Sequence, residues 1–393
     1  MPILVQHGWG RTNKLDEALG ADLASGAILS PRDETPDGMA QLVAQLRGSY
    51  PQATLLFDPQ FYAATIPQAR DRHLPSYPYY RPLLSRSEFG LSAIRALVPP
   101  VLNYQANLDL SRIIAPTIAL DDMSDRWSQI AIYLCQESVD CHAALQAAPP
   151  LLLSVVVSEN ALATGRGLDD FLDEITALNC HGFYIIVERS QSYAQRFDDR
   201  RLAALMYMVH VLGHVNRFEV IVGYTDLAGM LLRAAGAHAW ACGWSQSLRQ
   251  FSRTRFRPVT GGRRARERYT SLPLLNSVLL SEVDACQQAQ VLNRVLSGSP
   301  YDQQIEQADT PLGANWQKEV SALHHWWVLA ALEATASRGN VNQRLAACSA
   351  AISRARGVYA MLGQAGIRLA PPSDSGHLDD WRNAIDAFTK SVG

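Results

Sequence analysis

Residues 151–188 read LLLSVVVSENALATGRGLDDFLDEITALNCHGFYIIVE, and the fold follows from how that stretch alternates. Leu151–Ser158 (LLLSVVVS) and Phe183–Glu188 (FYIIVE) are unbroken apolar runs, the pattern of strands covered on both faces in a parallel sheet. Between them, Leu168–Leu178 carries apolar residues at helical spacing, so the unit predicts strand, helix, strand. The same rhythm extends outward in both directions. Ile3–His7 (ILVQH), Ala27–Ser30 (AILS), Thr54–Asp58 (TLLFD) and Ile113–Leu120 (IIAPTIAL) precede it, and Glu219–Gly223 (EVIVG) and Ala239–Gly243 (AWACG) follow. Amphipathic stretches such as Asp125–Ala148, Arg201–Leu212 and Leu227–Ala235 lie between them. Eight such repeats in about 250 residues predict an α/β fold of the (β/α)8 TIM-barrel type. An open doubly wound sheet is the alternative, but no G-x-G-x-x-G follows the first strand.

The barrel is expected over residues 1–270 and an α-helical C-terminal extension over 271–393. Helical patterns run from about Ser271 to Ser297, then over Trp316–Ala336, Asn342–Gly363 and Asp379–Val392. The connection from Pro59 to about Ser87 is long for a strand-to-helix loop, and such loops usually cover or build a site.

Composition narrows the class. The chain has 393 residues, 48% hydrophobic and 18% charged, with a net charge of −2. That excludes extensive disorder and coiled coil, and it gives no global attraction to nucleic acid or to a membrane surface. No apolar run reaches the length of a membrane span. The opening MPILVQHGWGR lacks the pattern of a secretory leader, so a soluble, cytoplasmic protein of bacterial type is expected. The six cysteines (135, 141, 180, 242, 286 and 348) contain no C-x-x-C pair and are expected to be reduced and mostly buried. Lys occurs only at 14, 318 and 390, so nearly all the positive charge is Arg.

In a barrel, side chains at the C-terminal ends of the strands converge on one face. Carboxylates recur there: Asp58, Asp121, Asp122, Glu159, Glu188 and Asp226 are the candidate catalytic residues. Crowded carboxylates push one another's pKa values apart, which suits general acid and base work. The ring could equally hold a divalent cation; no other cofactor is expected. Against these roles, Asp226 before LAGMLL and Asp125 before RWSQI also read as helix caps. His7 is either a catalytic imidazole or a polar residue at the barrel mouth. His324 and His325, in LHHWWVLAAL, lack ligand partners at helical spacing and read as an interface between extension and barrel.

The strongest local charge is Arg249–Arg268, RQFSRTRFRPVTGGRRARER, with eight Arg and one Glu. Barrel phosphate sites often use the loops after the seventh and eighth strands, and Arg suits bidentate phosphate contacts. Arg249, Arg253, Arg255, Arg257, Arg263 and Arg264 are therefore candidate phosphate or nucleic-acid ligands, with Phe251, Phe256 and Tyr269 available to stack on bases. A set of surface salt bridges is the plainer reading of the same residues.

Over about residues 1–256 the order of elements resembles the tRNA-guanine transglycosylase family, (β/α)8 barrels that exchange a guanine base. ILVQHGWGRTNKL and LASGAILSPRD are similar to its first strand and following unit. LLFDPQFY stands where the family carries D-S-G-G-F-Q, which aligns Asp58 with its motif aspartate. IALDDMSDRWSQ resembles the fourth strand, whose aspartate reads the base, and so implies that role for Asp121 or Asp122. VIVGYTDLAGMLLRAAGAHAWACGW resembles its seventh strand, helix and eighth strand. The family's nucleophilic aspartate, in F-D-C-V, falls on Ala241 within Trp240–Gly243, and its zinc cysteines have no counterpart. Covalent base exchange would then need Asp226 or another carboxylate in that role.

Three functions follow as expectations. The first is a transglycosylase-like barrel that acts on or binds a nucleotide or nucleic acid through the carboxylate-lined mouth and the Arg-rich loop. The second is a catalytically inactive barrel in a nucleic-acid-processing assembly, meeting a protein partner through the C-terminal helices. The third is a metal-dependent hydrolase. No membrane partner is expected.

Overall fold

The computed structural model describes residues 2–67, 72–190, 193–257 and 267–393. Its main sheet contains β1 (Ile3–Gln6), β2 (Gly26–Leu29), β3 (Thr54–Phe57), β4 (Ile113–Ile114), β5 (Ala119–Leu120), β6 (Leu151–Ser158), β7 (Gly182–Glu188), β8 (Glu219–Gly223) and β9 (Ala239–Cys242). All pairings in it are parallel, in the order β3-β2-β1-β9-β8-β7-β6-β4, with β5 also on β6. Pro116 divides the fourth barrel strand into β4 and β5, because a proline has no N–H for the ladder. Counting that pair as one strand, all eight expected strands form, and they make a nearly closed (β/α)8-type barrel. Between β3 and β4 no strand ladder forms. Closure there rests on Ser111, whose N–H donates to Leu55 O at 2.8 Å and whose Oγ accepts from Leu55 N at 3.0 Å.

The outer layer contains α1 (Lys14–Gly20), α2 (Pro36–Ser49), α3 (Leu91–Ala106), α4 (Arg126–Ala143), α5 (Glu159–Thr164), α6 (Leu168–Thr176), α7 (Asp199–Val209) and α8 (Gly229–Ala235). Asp125 caps α4 as its sequence suggests, accepting from Trp127 N at 2.7 Å and Ser128 N at 3.2 Å. An amide N–H so satisfied is one fewer orphan at the helix start. The long loop after β3 folds inward in short 3₁₀ turns and buries Phe61, Tyr62, Tyr77 and Tyr79.

The C-terminal portion departs from the helical pattern at its start. Where a helix was expected from Ser271, an antiparallel hairpin forms from β10 (Arg268–Ser271) and β11 (Asn276–Leu279). The apolar residues around Leu272–Leu279 satisfied a helical period, but the short strands bury Tyr269 and Val278 against a small core with Val283, Ile305 and Trp316. Helices α9 (Leu280–Gln288), α10 (Gln303–Glu306), α11 (Lys318–Ala336), α12 (Val341–Gln364) and α13 (Gly376–Val392) follow. α11 packs against α8, α1 and β1, α12 against α8, and α13 against α7. Its neighbours give α11 the position of the eighth barrel helix, between those that follow the seventh and first strands. All six cysteines are free thiols, with Cys135, Cys242, Cys286 and Cys348 buried. No helix among the described residues is long and apolar enough to cross a membrane.

Candidate functional site

The barrel mouth is filled by its own chain. After β9 the backbone turns at Gly243, where a Cβ would stand 2.6 Å from Gln6 O, so only glycine fits this close approach. The following segment crosses the mouth. Phe251 bridges to Glu188 at the end of β7, and Phe251 O accepts from Arg189 N at 2.9 Å. Phe251 and Phe256 are fully buried and meet Tyr62 edge-on at 5.3 and 5.9 Å.

This closure pairs the two charged groups singled out in the sequence. Arg253 makes a bidentate contact with Asp121 (Nη2–Oδ1 2.5 Å, Nη1–Oδ2 3.2 Å) and reaches Glu188 Oε2 with Nε at 2.6 Å. Arg255 is buried against Asp33, which also meets Arg72 at 3.2 Å and Arg32 at 3.4 Å. Burial opposes ionisation of Asp33, but Arg255 and Arg32 outweigh it and hold the carboxyl below its ordinary range. Arg253 and Arg255 are therefore counter-ions of the strand-end carboxylates and tie the closing segment to the barrel. Arg257 is exposed. Arg263 and Arg264 lie outside the described residues.

The six candidate carboxylates do not meet in one site. Asp58 is buried in the barrel interior, accepting from Tyr62 Oη at 2.8 Å and Gln60 N at 3.0 Å. Burial pushes its carboxyl up to about 6. Asp121 faces outward beneath Arg253, and Asp122 closes a local turn with Ser124 N and Oγ, both at 2.7 Å. Glu159 is buried between Arg189 at 3.1 Å and Arg201 at 3.4 Å. His7 is buried beside Trp244, its Nε2 3.6 Å from Glu34.

Asp226 alone of the six lines the main cavity, a space of about 910 Å³ between the ends of β8 and β9, the closing segment and the C-terminal portion. The volume is that of a small-molecule site. The Asp226 carboxylate accepts from Leu227 N at 2.8 Å and Gln195 Nε2 at 3.1 Å, and His325 Nε2 lies 3.1 Å away. The expected cap role is not taken: the N-cap of α8 is Ala228, no side chain caps that helix, and the only backbone N–H that Asp226 accepts from is that of Leu227, before the helix begins. Burial disfavours its charge, but His325 and Arg249 outweigh this and keep it ionised.

The cavity wall is cationic and aromatic. Lys14, Arg32, Arg72, Arg249, Arg255, Arg268 and Lys318 face it, against Asp33, Asp226 and Glu267. Arg249, Arg268 and Lys318 make no ion pair with a described residue, although Arg249 is only 8% exposed. Such a cation has lost most of its water and, although it acts on Asp226 through space, makes no direct contact with a carboxylate. Trp244 and Trp9 line the cavity as well; Trp244 Nε1 donates to Trp9 O at 2.9 Å, and Trp9 is 69% exposed. Arg72 sits over the Trp9 ring at 5.2 Å and Lys14 over Trp244 at 5.8 Å.

The α11 histidines are buried at the junction of barrel and C-terminal portion, as the HHWW pattern suggests, with Trp326 Nε1 donating to Cys242 O at 2.9 Å. His325 Nε2 is 3.3 Å from Cys242 Sγ as well as 3.1 Å from Asp226. Asp226, Cys242 and His325 thus form a group able to hold a metal ion, their donor atoms all within 4.8 Å of one another. Sequence reading missed this group, because its members lie on three separate elements and no local spacing joins them. Lys318 and Gln195 carried no signal either. In comparisons with known proteins, no family model matches the chain and no curated protein gives a significant match.

Proposed function

We propose that the protein binds a nucleotide, free or at the end of a nucleic-acid strand, in the cavity between the last barrel strands and the C-terminal portion. The observation that carries this reading is the set Arg249, Arg268 and Lys318, cations that make no ion pair with a described residue and that line the same cavity of about 910 Å³ as Trp244 and Trp9. Guanidinium groups suit phosphate oxygens and an indole face suits a base. Lys318 also stands in the first turn of α11, where the helix dipole already favours an anion. Asp226, held ionised at the same cavity, would stabilise positive charge on a ribose during base exchange, the reaction class implied by the resemblance to transglycosylases. The other carboxylates of the ring are not the proposed reaction centre, since they are spent on Arg253, Arg189, Tyr62 and Ser124.

The test is calorimetric titration of GMP and of a short 5′-phosphorylated RNA at several salt concentrations. Saturable binding is expected, with log K falling as log salt rises. Arg249→Gln should weaken it at least tenfold, about the loss of one charge-assisted hydrogen bond. Lys318→Gln should weaken it less and reduce the salt slope by about one. The absence of saturable binding at low salt, or wild-type affinity in Arg249→Gln, overturns the reading. The filled mouth favours a second reading, a barrel without catalysis that binds its ligand for an assembly. Nucleotide binding without base exchange or hydrolysis would select it.

A further inference from the structure

We propose that Asp226, Cys242 and His325 form a zinc site at the floor of the cavity. The inference stands apart from the nucleotide-binding cations Arg249, Arg268 and Lys318, but it shares Asp226 with the proposed base exchange and assigns that carboxylate to the metal. Three donors of different chemistry converge from three elements: the turn after β8, the last residue of β9 and the middle of α11. His325 Nε2 is 3.1 Å from Asp226 Oδ1 and 3.3 Å from Cys242 Sγ, and all three residues are buried. Tetrahedral zinc with ordinary bond lengths needs donor separations of about 3.4 Å for N and O and about 3.6 Å for N and S. The two separations from His325 lie within a few tenths of an ångström of these values, and the carboxylate and sulfur stand within 4.8 Å of each other.

The surroundings favour a metal over a simple hydrogen bond. One Nε2 proton can serve either the carboxylate or the sulfur, whereas a cation takes a lone pair from each. His325 Nδ1 lies 2.9 Å from Thr270 Oγ1, itself 3.1 Å from Ser277 Oγ. In the tautomer with the proton on Nδ1, that hydroxyl would accept from Nδ1–H, leaving the Nε2 lone pair for a metal and fixing the ring, as outer partners do in zinc sites. A nitrogen, sulfur and oxygen set selects zinc over magnesium or calcium, which prefer oxygen alone. A thiolate and a carboxylate also neutralise a divalent charge, so the buried site carries no net charge. Three protein ligands leave a fourth tetrahedral position, as in zinc sites that bind water or substrate, and of the three Asp226 lines the cavity.

The probe is Co(II), added to the chelator-treated full-length protein. One equivalent should bind, with intense visible bands of tetrahedral coordination and a thiolate-to-cobalt charge-transfer band in the near ultraviolet. Cys242→Ser should lose the charge-transfer band and weaken binding by more than about a hundredfold. The isosteric Asp226→Asn keeps the test open if the serine variant does not fold: it should retain the charge-transfer band and alter the visible bands. Lys318→Gln should bind cobalt as wild type does while its nucleotide binding weakens and its salt slope falls, which separates failure of this site from failure of the nucleotide reading. A wild-type protein that binds no cobalt, or a folded Cys242→Ser with an unchanged spectrum, overturns the proposal.

Discussion

Asp58 carries an ionisable group into the barrel interior with two hydrogen bonds and no ion pair of its own. Burial raises its carboxyl to about 6, against an ordinary value of 3.8. Between about pH 4 and pH 6 the folded chain therefore keeps a proton that the unfolded chain releases. For a raised acid, stability falls as pH rises through that window, and the cost is complete above it. Asp58→Asn removes the titration. The stability of Asp58→Asn relative to the wild type should rise by on the order of 2 kcal/mol between about pH 4.5 and about pH 7.5. Urea denaturation at the two pH values measures this double difference, in which the other titrating groups cancel. A constant difference would mean that water or a neighbouring cation already compensates the carboxylate. The Arg side chains show the same principle in the opposite sense. Arg253 and Arg255 contact carboxylates directly, so their charge is internal, whereas Arg249 acts on Asp226 only through space and makes no ion pair with a described residue.

The closing segment after β9 shows where sequence reading stops. The eight strands were legible because each is an apolar run covered on both faces, a property of the run itself, and Asp125 announced its cap locally. The hairpin of β10 and β11 was not legible, because short strands and a helical turn share the same apolar content, and only packing against Trp316 and Ile305 decides between them. The site was half legible. Arg-rich sequence and strand-end carboxylates are visible as types, but their mutual neutralisation depends on the path of the chain between Ser245 and Arg257. His325 could be recognised as buried by its tryptophan neighbours, while its partners Asp226 and Cys242 are set by tertiary structure. The segment's anchor is aromatic as well as ionic. Phe251 is fully buried between Tyr62 and Tyr224. Phe251→Ala should cost about 3–5 kcal/mol, and hydrogen exchange should rise first at Arg189, whose N–H is held by Phe251 O. If the loss is under about 1 kcal/mol with unchanged exchange, the segment does not seal the mouth as a unit.

At the scale of the whole molecule, the eighth strand and its helix are separated in sequence yet adjacent in space. After β9 the chain closes the mouth and makes the hairpin, and only then supplies α11 to the gap between α8 and α1. The buried face of α11, with Ala322, Trp326, Leu329 and Leu332, belongs to the same hydrophobic cluster as Ile3, Val5 and Trp240 of the barrel. α12 and α13 extend that cluster with Leu345, Ile352, Trp381 and Phe388. A division at residue 270 cuts through β10 and removes the helix that covers β1. A chain of residues 1–270 would expose this large apolar face to water, at roughly 25 cal/mol for each Å² left uncovered. Net stabilities of domains are only about 5–15 kcal/mol, so loss of one side of the core should exceed what the remaining barrel supplies. The truncated chain is expected to lack a cooperative thermal transition and to bind a hydrophobic dye, while the full-length chain melts in one step. In the intact protein Trp326→Ala should cost about 3–5 kcal/mol, with the added loss of its hydrogen bond to Cys242 O. A 1–270 chain that melts cooperatively would show instead that the barrel is complete without α11, and that the C-terminal portion serves only the cavity it helps to enclose.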